Sequence, residues 1–354
     1  MTQTVEKRSN YFDNIKGILI ILVVLGHCLF DLQEFKTINY IVDTIYVFHM
    51  PAFVFMTGYL SKSSHCREKA TLLRLFCAYI IFNTLMMLYH SSAYGTSFSI
   101  MSPYNSCWYL LAVIVWRFSV GYFEKVPKLL LVAVVAALAI GLFPDVTNVM
   151  AAARIVAFYP FFLSGYEFDT KRMTNFYENR KIKQYIHGIA FLFIAIFLSV
   201  LLIYFYHPKD DVFQMAAYVM PVDILIRCMI FFVSILAIIG LFLCVPKRKV
   251  LLLTNIGKNT LPIFLLHRII TLIISNWMQR LGNEGLIIFI SLIETTIIVV
   301  LCGTNFIASA VSKLIDTFYF MVTSEKNSKG IEITRLCTVV IIIFILALQV
   351  LLLL

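Results

Sequence analysis

Charge is scarce in this sequence: Asp, Glu, Lys and Arg make up 14% of its 354 residues, with 19 acidic against 29 basic side chains. Beside 61% hydrophobic residues and a mean hydropathy of +0.89, so little charge excludes a water-soluble globular protein, because no soluble core could absorb that much apolar surface. The eight cysteines lie scattered through or beside apolar runs, with no CxxC pair and no Cys/His cluster. That pattern supports neither a disulfide framework nor a structural zinc site, and no metal is expected. Also missing is a charged n-region followed by a short apolar stretch and a small-residue cleavage site. Lys7 and Arg8 lead directly into a full-length apolar segment, so the N-terminus is expected to be retained. No low-complexity linker, internal repeat or separately folding loop interrupts the chain.

What is present is a succession of apolar runs, near residues 14–32, 38–60, 70–91, 104–122, 127–144, 149–168, 185–206, 215–245, 251–276, 285–311 and 332–354. Most reach the roughly 20 residues with which an α-helix crosses a bilayer, and only helices and closed barrels satisfy their backbone polar groups in lipid. The expected fold is all-α, a polytopic membrane bundle of about 10–11 spans built from residues 1–354 as one unit. Two stretches are less regular: 127–168, where shorter runs meet at Pro144-Asp145, and 215–245, which contains Pro221.

A formal charge of +10 on one soluble patch would suggest nucleic acid. Here the basic residues are spread over short connections, which argues against a nucleic-acid partner and for topology signals. With the N-terminus cytoplasmic, the inner connections hold 21 Lys and Arg, and the outer ones hold only Lys36, Lys209 and Arg280. The C-terminus is then expected outside.

Ionisable groups within spans are costly and therefore informative. His27 lies about 20 Å from the start of the first span at roughly 1.5 Å per residue, and His49 and His267 come to roughly 15–17 Å by the same rise. One histidine bonded to a neighbouring carbonyl is unremarkable, whereas three at one depth point to a reactive layer. Lys16 and His27 are eleven residues apart and share a helix face, Lys16 near the cytoplasm and His27 deep. A snorkelling interfacial lysine is the plain reading of Lys16. The sharper one is a ligand with an anionic end and a distant reactive end, a shape that an acyl thioester of coenzyme A has. Asp223 and Arg227, at i and i+4, read as a neutralising pair, Arg154 near the outer surface as a contact for an anionic acceptor, and Glu294 has no partner in its own helix.

Asp13-Asn14-Ile15-Lys16-Gly17, followed by an apolar stretch to Gly26-His27, resembles the opening of the acyltransferase 3 family of membrane proteins. Phe48-His49-Met50-Pro51 running to Gly58-Tyr59-Leu60 is similar to that family's second span, especially in its fucose 4-O-acetylase-like branch. Cys107-Trp108-Tyr109-Leu110-Leu111 with Trp116-Arg117, Phe158-Tyr159-Pro160 to Gly165-Tyr166, and Gly257-Lys258-Asn259-Thr260 to His267 are similar to further family segments in the expected order. The resemblance covers about residues 10–310 and leaves an additional span near 332–354.

The resemblance implies acetyl transfer from cytoplasmic acetyl-CoA, a cosubstrate rather than a resident cofactor, to a hydroxyl of an extracytoplasmic or lipid-linked polysaccharide. The setting would be the bacterial plasma (inner) membrane, and a homo-oligomer is left open. It makes His27 and His49 the expected catalytic residues, and Lys16, Arg67, Lys69 and Arg74 the expected donor contacts, although no two arginines here have the family's RxxR spacing. Asp13, Trp108, Arg154, Lys258, Asn259 and His267 are expected on the acceptor side or in support. The rival reading, from the many spans and buried charges, is a transporter or flippase for a glycan precursor or small solute.

Overall fold

The computed structural model of the chain describes residues 9–94, 103–123, 126–144, 149–177, 181–206 and 217–323. The run at 332–354 lies outside the described residues, as do Lys7 and Arg8. The helices in chain order are α1 Asn10–Phe30, α2 Lys36–Leu60, α3 Lys69–Tyr94, α4 Trp108–Phe123, α5 Leu129–Ala139, α6 Ala152–Glu167, α7 Thr170–Tyr177, α8 Lys181–Tyr206, α9 Val222–Cys244, α10 Leu251–Lys258, α11 Thr260–Met278, α12 Glu284–Cys302 and α13 Asn305–Thr323. Among the described residues, nine helices are long and apolar enough to cross a membrane, and Leu129–Leu142 is a shorter apolar helix. The molecule is a polytopic helical membrane bundle.

Two of the expected runs are divided. The run at 251–276 breaks at Asn259, whose backbone (φ −112°, ψ 37°) leaves the helical region and separates α10 from α11. The Asn259 amide donates to the Gly303 carbonyl at 2.7 Å and to Asn305 Oδ1 at 3.0 Å, tying this break to the one between α12 and α13. The run at 285–311 ends at Cys302, and α13 follows as a separate helix that the hydropathy pattern did not single out. Both breaks are short, so apolar runs continue through them, and only the backbone hydrogen bonding exposes the division.

The inner bundle is made by α1, α2, α4, α6 and α11, while α8 keeps much of its apolar surface towards the lipid side, as at Ile189, Phe193 and Phe197. Proline sits inside α2 at Pro51 without ending it. A proline has no N–H for the carbonyl four residues earlier, and that carbonyl, on Val47, instead accepts from Ser234 Oγ on α9 at 2.6 Å. The helix therefore continues with His49 in its interior. Where α2 crosses α6, Gly58 and Gly165 face each other's helix backbone. A Cβ on Gly58 would fall far inside van der Waals contact with the Phe162 carbonyl, and one on Gly165 would meet the Phe55 carbonyl. Such close approach is the means by which small residues hold membrane helices together.

The ends of the helices define two faces. The connections after Leu60, Phe123, Glu167 and Cys244 carry the basic loop residues, and α1 begins and α3 starts on the same side. We refer to this as the basic face and to the other as the opposite face.

Candidate active site

Two cavities enter the inner bundle from the two faces. The first, of about 240 Å³, is reached from the opposite face, between the end of α1, the starts of α4 and α6 and the middle of α2 and α11. His27, His49, Trp108, Arg154 and Arg268 line it. The second, of about 190 Å³, lies towards the basic face, where Lys16, Thr57, Leu75, Arg117 and Thr260 line it.

The histidines meet where helical periodicity turns α1, α2 and α11 inward. The imidazoles of His27 and His267 are 5.1 Å apart between centroids, and Tyr46 bridges the other pair, 6.0 Å from the His27 ring and 4.7 Å from that of His49. The Tyr46 hydroxyl lies 3.2 Å from His27 Nδ1. His49 Nδ1 is 2.8 Å from the Ile45 carbonyl, and His267 Nδ1 is 2.8 Å from that of Phe264. A carbonyl oxygen can only accept, so both Nδ1 atoms carry the proton and both Nε2 atoms of the neutral rings hold a lone pair. His267 Nε2 is buried and has no hydrogen-bond partner among the described residues.

Around this layer the cavity wall is cationic and aromatic. The Arg268 guanidinium is nearly fully buried and forks onto Asp31 with bonds of 2.8 and 2.9 Å, the bidentate geometry that arginine favours. Arg154 lies over the Trp108 ring at 5.5 Å, and Trp108 stacks on Phe158 at 5.3 Å. Arg268 follows His267 in the sequence, but nothing along the chain ties it to Asp31, 237 positions away.

In the second cavity Lys16 Nζ pairs with Asp13 at 2.8 Å, and Arg117 Nε donates to Ser61 Oγ at 3.0 Å. Arg117 was legible only as the end of the Trp116-Arg117 motif. Its role as a cation in the Lys16 cavity comes from the parallel course of α2 and α4, which brings the last turns of α4 beside the end of α2.

The other expected site residues fall elsewhere. Lys16 and His27 share a helix, yet they line different cavities, because Tyr109 and Phe264 stand between. Asp13 is at the basic face with Lys16, away from the histidine cavity. Arg74 pairs with Asp316 on α13 and lies over the Tyr319 ring at 5.8 Å, outside both cavities. Arg67 lies over the Tyr166 ring at 5.9 Å, and Lys69 opens α3 on the surface. Lys258 is exposed and, with Asn259, belongs to the junction of α10 and α11 at the basic face rather than to the histidine cavity. Further away, the Asp223 carboxylate caps the Val219 and Met220 amides, and Arg227 lies over Tyr218 at 4.4 Å.

A helical membrane bundle with a histidine layer and a cavity towards each face, each holding cationic side chains, is the class of protein that this architecture defines. A family model described as an acyltransferase domain, acyltransferase 3, matches residues 9–308. The chain is also 33% identical over 184 residues to nodulation protein NolL of Sinorhizobium fredii, a match covering 46% of this chain and 49% of that protein. It is 40% identical over 70 residues to nodulation protein NolL of Mesorhizobium japonicum, covering 19% of each. The matched segments thus span about half, or less, of these relatives' length. No solved structure gives a significant match. The chain belongs to the acyltransferase 3 family.

Proposed function

We propose that this protein is a membrane O-acetyltransferase that takes an acetyl group from acetyl-CoA at the basic face and transfers it to a hydroxyl of a cell-surface polysaccharide, or of its lipid-linked precursor, at the opposite face. The observation that carries this reading is the pair of cavities entering from the two faces and ending on the same two aromatic side chains, one of them beside the histidine layer. Family membership supports acyl transfer as the chemistry. The bacterial sources of the two relatives support a bacterial plasma membrane as the setting.

Lys16 and Arg117 supply the cations that the phosphates of coenzyme A require where side chains remain hydrated. On the other side, the stacked Trp108 and Phe158 offer a flat face for a sugar ring, with Arg154 and Arg268 close by. The acceptor hydroxyl attacks the thioester carbonyl, His27 takes its proton, the new C–O bond forms and the C–S bond breaks. The leaving thiolate of coenzyme A then recovers the proton from the imidazolium. In a two-step variant His27 itself carries the acetyl group between the two substrates.

The test is to incubate the purified protein in nanodiscs with labelled acetyl-CoA and candidate free or lipid-linked glycans. Label on sugar is expected with the native chain and not with His27→Ala at equal folded yield. A carrier would instead move an unmodified solute and leave acetyl-CoA intact, and that outcome would replace the enzyme reading with the transporter one.

A further inference from the structure

Tyr109 and Phe264 line both cavities. Their rings face each other 5.2 Å apart, tilted by 60°, and both side chains are buried. Open space lined by both polar and apolar side chains therefore reaches them from each face and stops at the two rings. A membrane protein with an unbroken polar path through it, lined by histidines, would pass protons down their gradient, so the closed pair has a physical purpose.

We propose that Tyr109 and Phe264 form an aromatic septum that seals the bundle at rest, and that displacement of Phe264 is the step that admits the acyl end of the donor to the histidine layer, its size setting the acyl length accepted. The division of labour follows from how each ring is held. The Tyr109 hydroxyl bonds to Thr57 Oγ1, which itself donates to the Phe53 carbonyl at 2.9 Å, and the Tyr109 ring packs edge-on against Phe53 at 5.6 Å. Tyr109 is thus anchored to α2. Phe264 has no polar anchor; its ring meets Tyr109 on one side and His267 at 5.8 Å on the other. Its backbone carbonyl accepts from His267 Nδ1 at 2.8 Å, shared with the Ile263 carbonyl at 3.1 Å, so Phe264 is tied through its backbone and its ring to the histidine beside His27.

The role in admitting the acyl end rests on the acyltransferase reading, whereas the seal does not, and the test separates them. Proteoliposomes loaded with a pH-sensitive dye are given a pH step, with the native chain, Phe264→Ala, the milder Phe264→Leu and a lipid-side control, Phe118→Ala, whose ring is 57% exposed. The native chain and the control should stay tight, while Phe264→Ala should dissipate the gradient about tenfold faster, with Phe264→Leu between them. A second readout is coenzyme A released from butyryl-CoA relative to acetyl-CoA. That ratio should rise about tenfold in Phe264→Ala, the scale expected for added methylenes in a pocket. Folded Phe264 variants as tight as the native chain would overturn the septum, and so would a leak shared equally by Phe118→Ala. If Phe264→Ala is not recovered folded, Phe264→Leu alone decides by the same criterion. A native chain that releases no coenzyme A from any acyl-CoA would overturn the acyltransferase reading, leaving the leak result to judge the seal.

Discussion

His267 and His27 stand on different helices with their imidazole rings 5.1 Å apart, and the carbonyls that fix the His267 tautomer belong to Ile263 and to Phe264, a residue shared by both cavities. A lone pair on His267 Nε2, buried and without a hydrogen-bond partner among the described residues, therefore lies beside the histidine proposed as base. His267→Asn would keep a donor for the Phe264 carbonyl and remove the Nε2 acceptor. Its kcat should fall at least about tenfold with the Michaelis constant for acetyl-CoA unchanged, as for a group that serves the transition state rather than donor binding. Native kcat in this variant would remove His267 from the site.

His27→Ala should lose about 10²-fold or more in transfer rate, the range for a general base or nucleophile. Comparison of insertion and thermal unfolding with the native protein checks that the loss is chemical. Retained transfer would sink both routes through His27.

Lys16→Ala and Arg117→Ala should each raise the Michaelis constant for acetyl-CoA about tenfold, or ~1.4 kcal/mol, with kcat little changed. Steady-state kinetics at low and high salt check this, because an electrostatic contact to phosphate weakens as ionic strength rises. An unchanged Michaelis constant in both variants would mean that the donor does not use this cavity.

Asp31→Asn leaves the Arg268 guanidinium, 4% exposed, without its counter-charge. Breaking a fully buried pair costs about 3–5 kcal/mol, and because Asp31 is 22% exposed a loss of about 1–2 kcal/mol is expected. Thermal unfolding in detergent should fall by several degrees. A Tm equal to that of the native protein would show that water already screens the pair.

Gly165→Ala tests the crossing of α2 and α6. Its added methyl group must displace the Phe55 backbone, and overpacking of this kind costs about 1–3 kcal/mol. Reduced thermal stability is expected, since no flexible side chain can make room. Unaltered unfolding would mean that the two helices part without cost.

Helix by helix, the bundle was legible because hydropathy is a local property. Eight of the apolar runs each correspond to one apolar helix, two are each divided between two helices, and the eleventh lies outside the described residues. The breaks at Asn259 and Gly303 were not legible, since they depend on hydrogen bonds between segments 44 and 46 residues apart. At the candidate site, the depths of His27, His49 and His267 could be counted from the rise of a helix. The facing of Lys16 and His27 on α1 could be counted too, but a shared helix face does not ensure a shared cavity.

That the chain lives in lipid, which segments are helical and which family it belongs to are legible from the order of residues, because apolar run length, loop charge and ordered motifs are all properties along the chain. The packing of helices was needed to show that Tyr109 and Phe264 divide the space between Lys16 and His27, that Arg268 meets Asp31, and that Arg117 joins Lys16. Each of these joins side chains from different helices, and how helices pack is set by the shape of their surfaces, as at Gly58 and Gly165, rather than by any pattern within one of them.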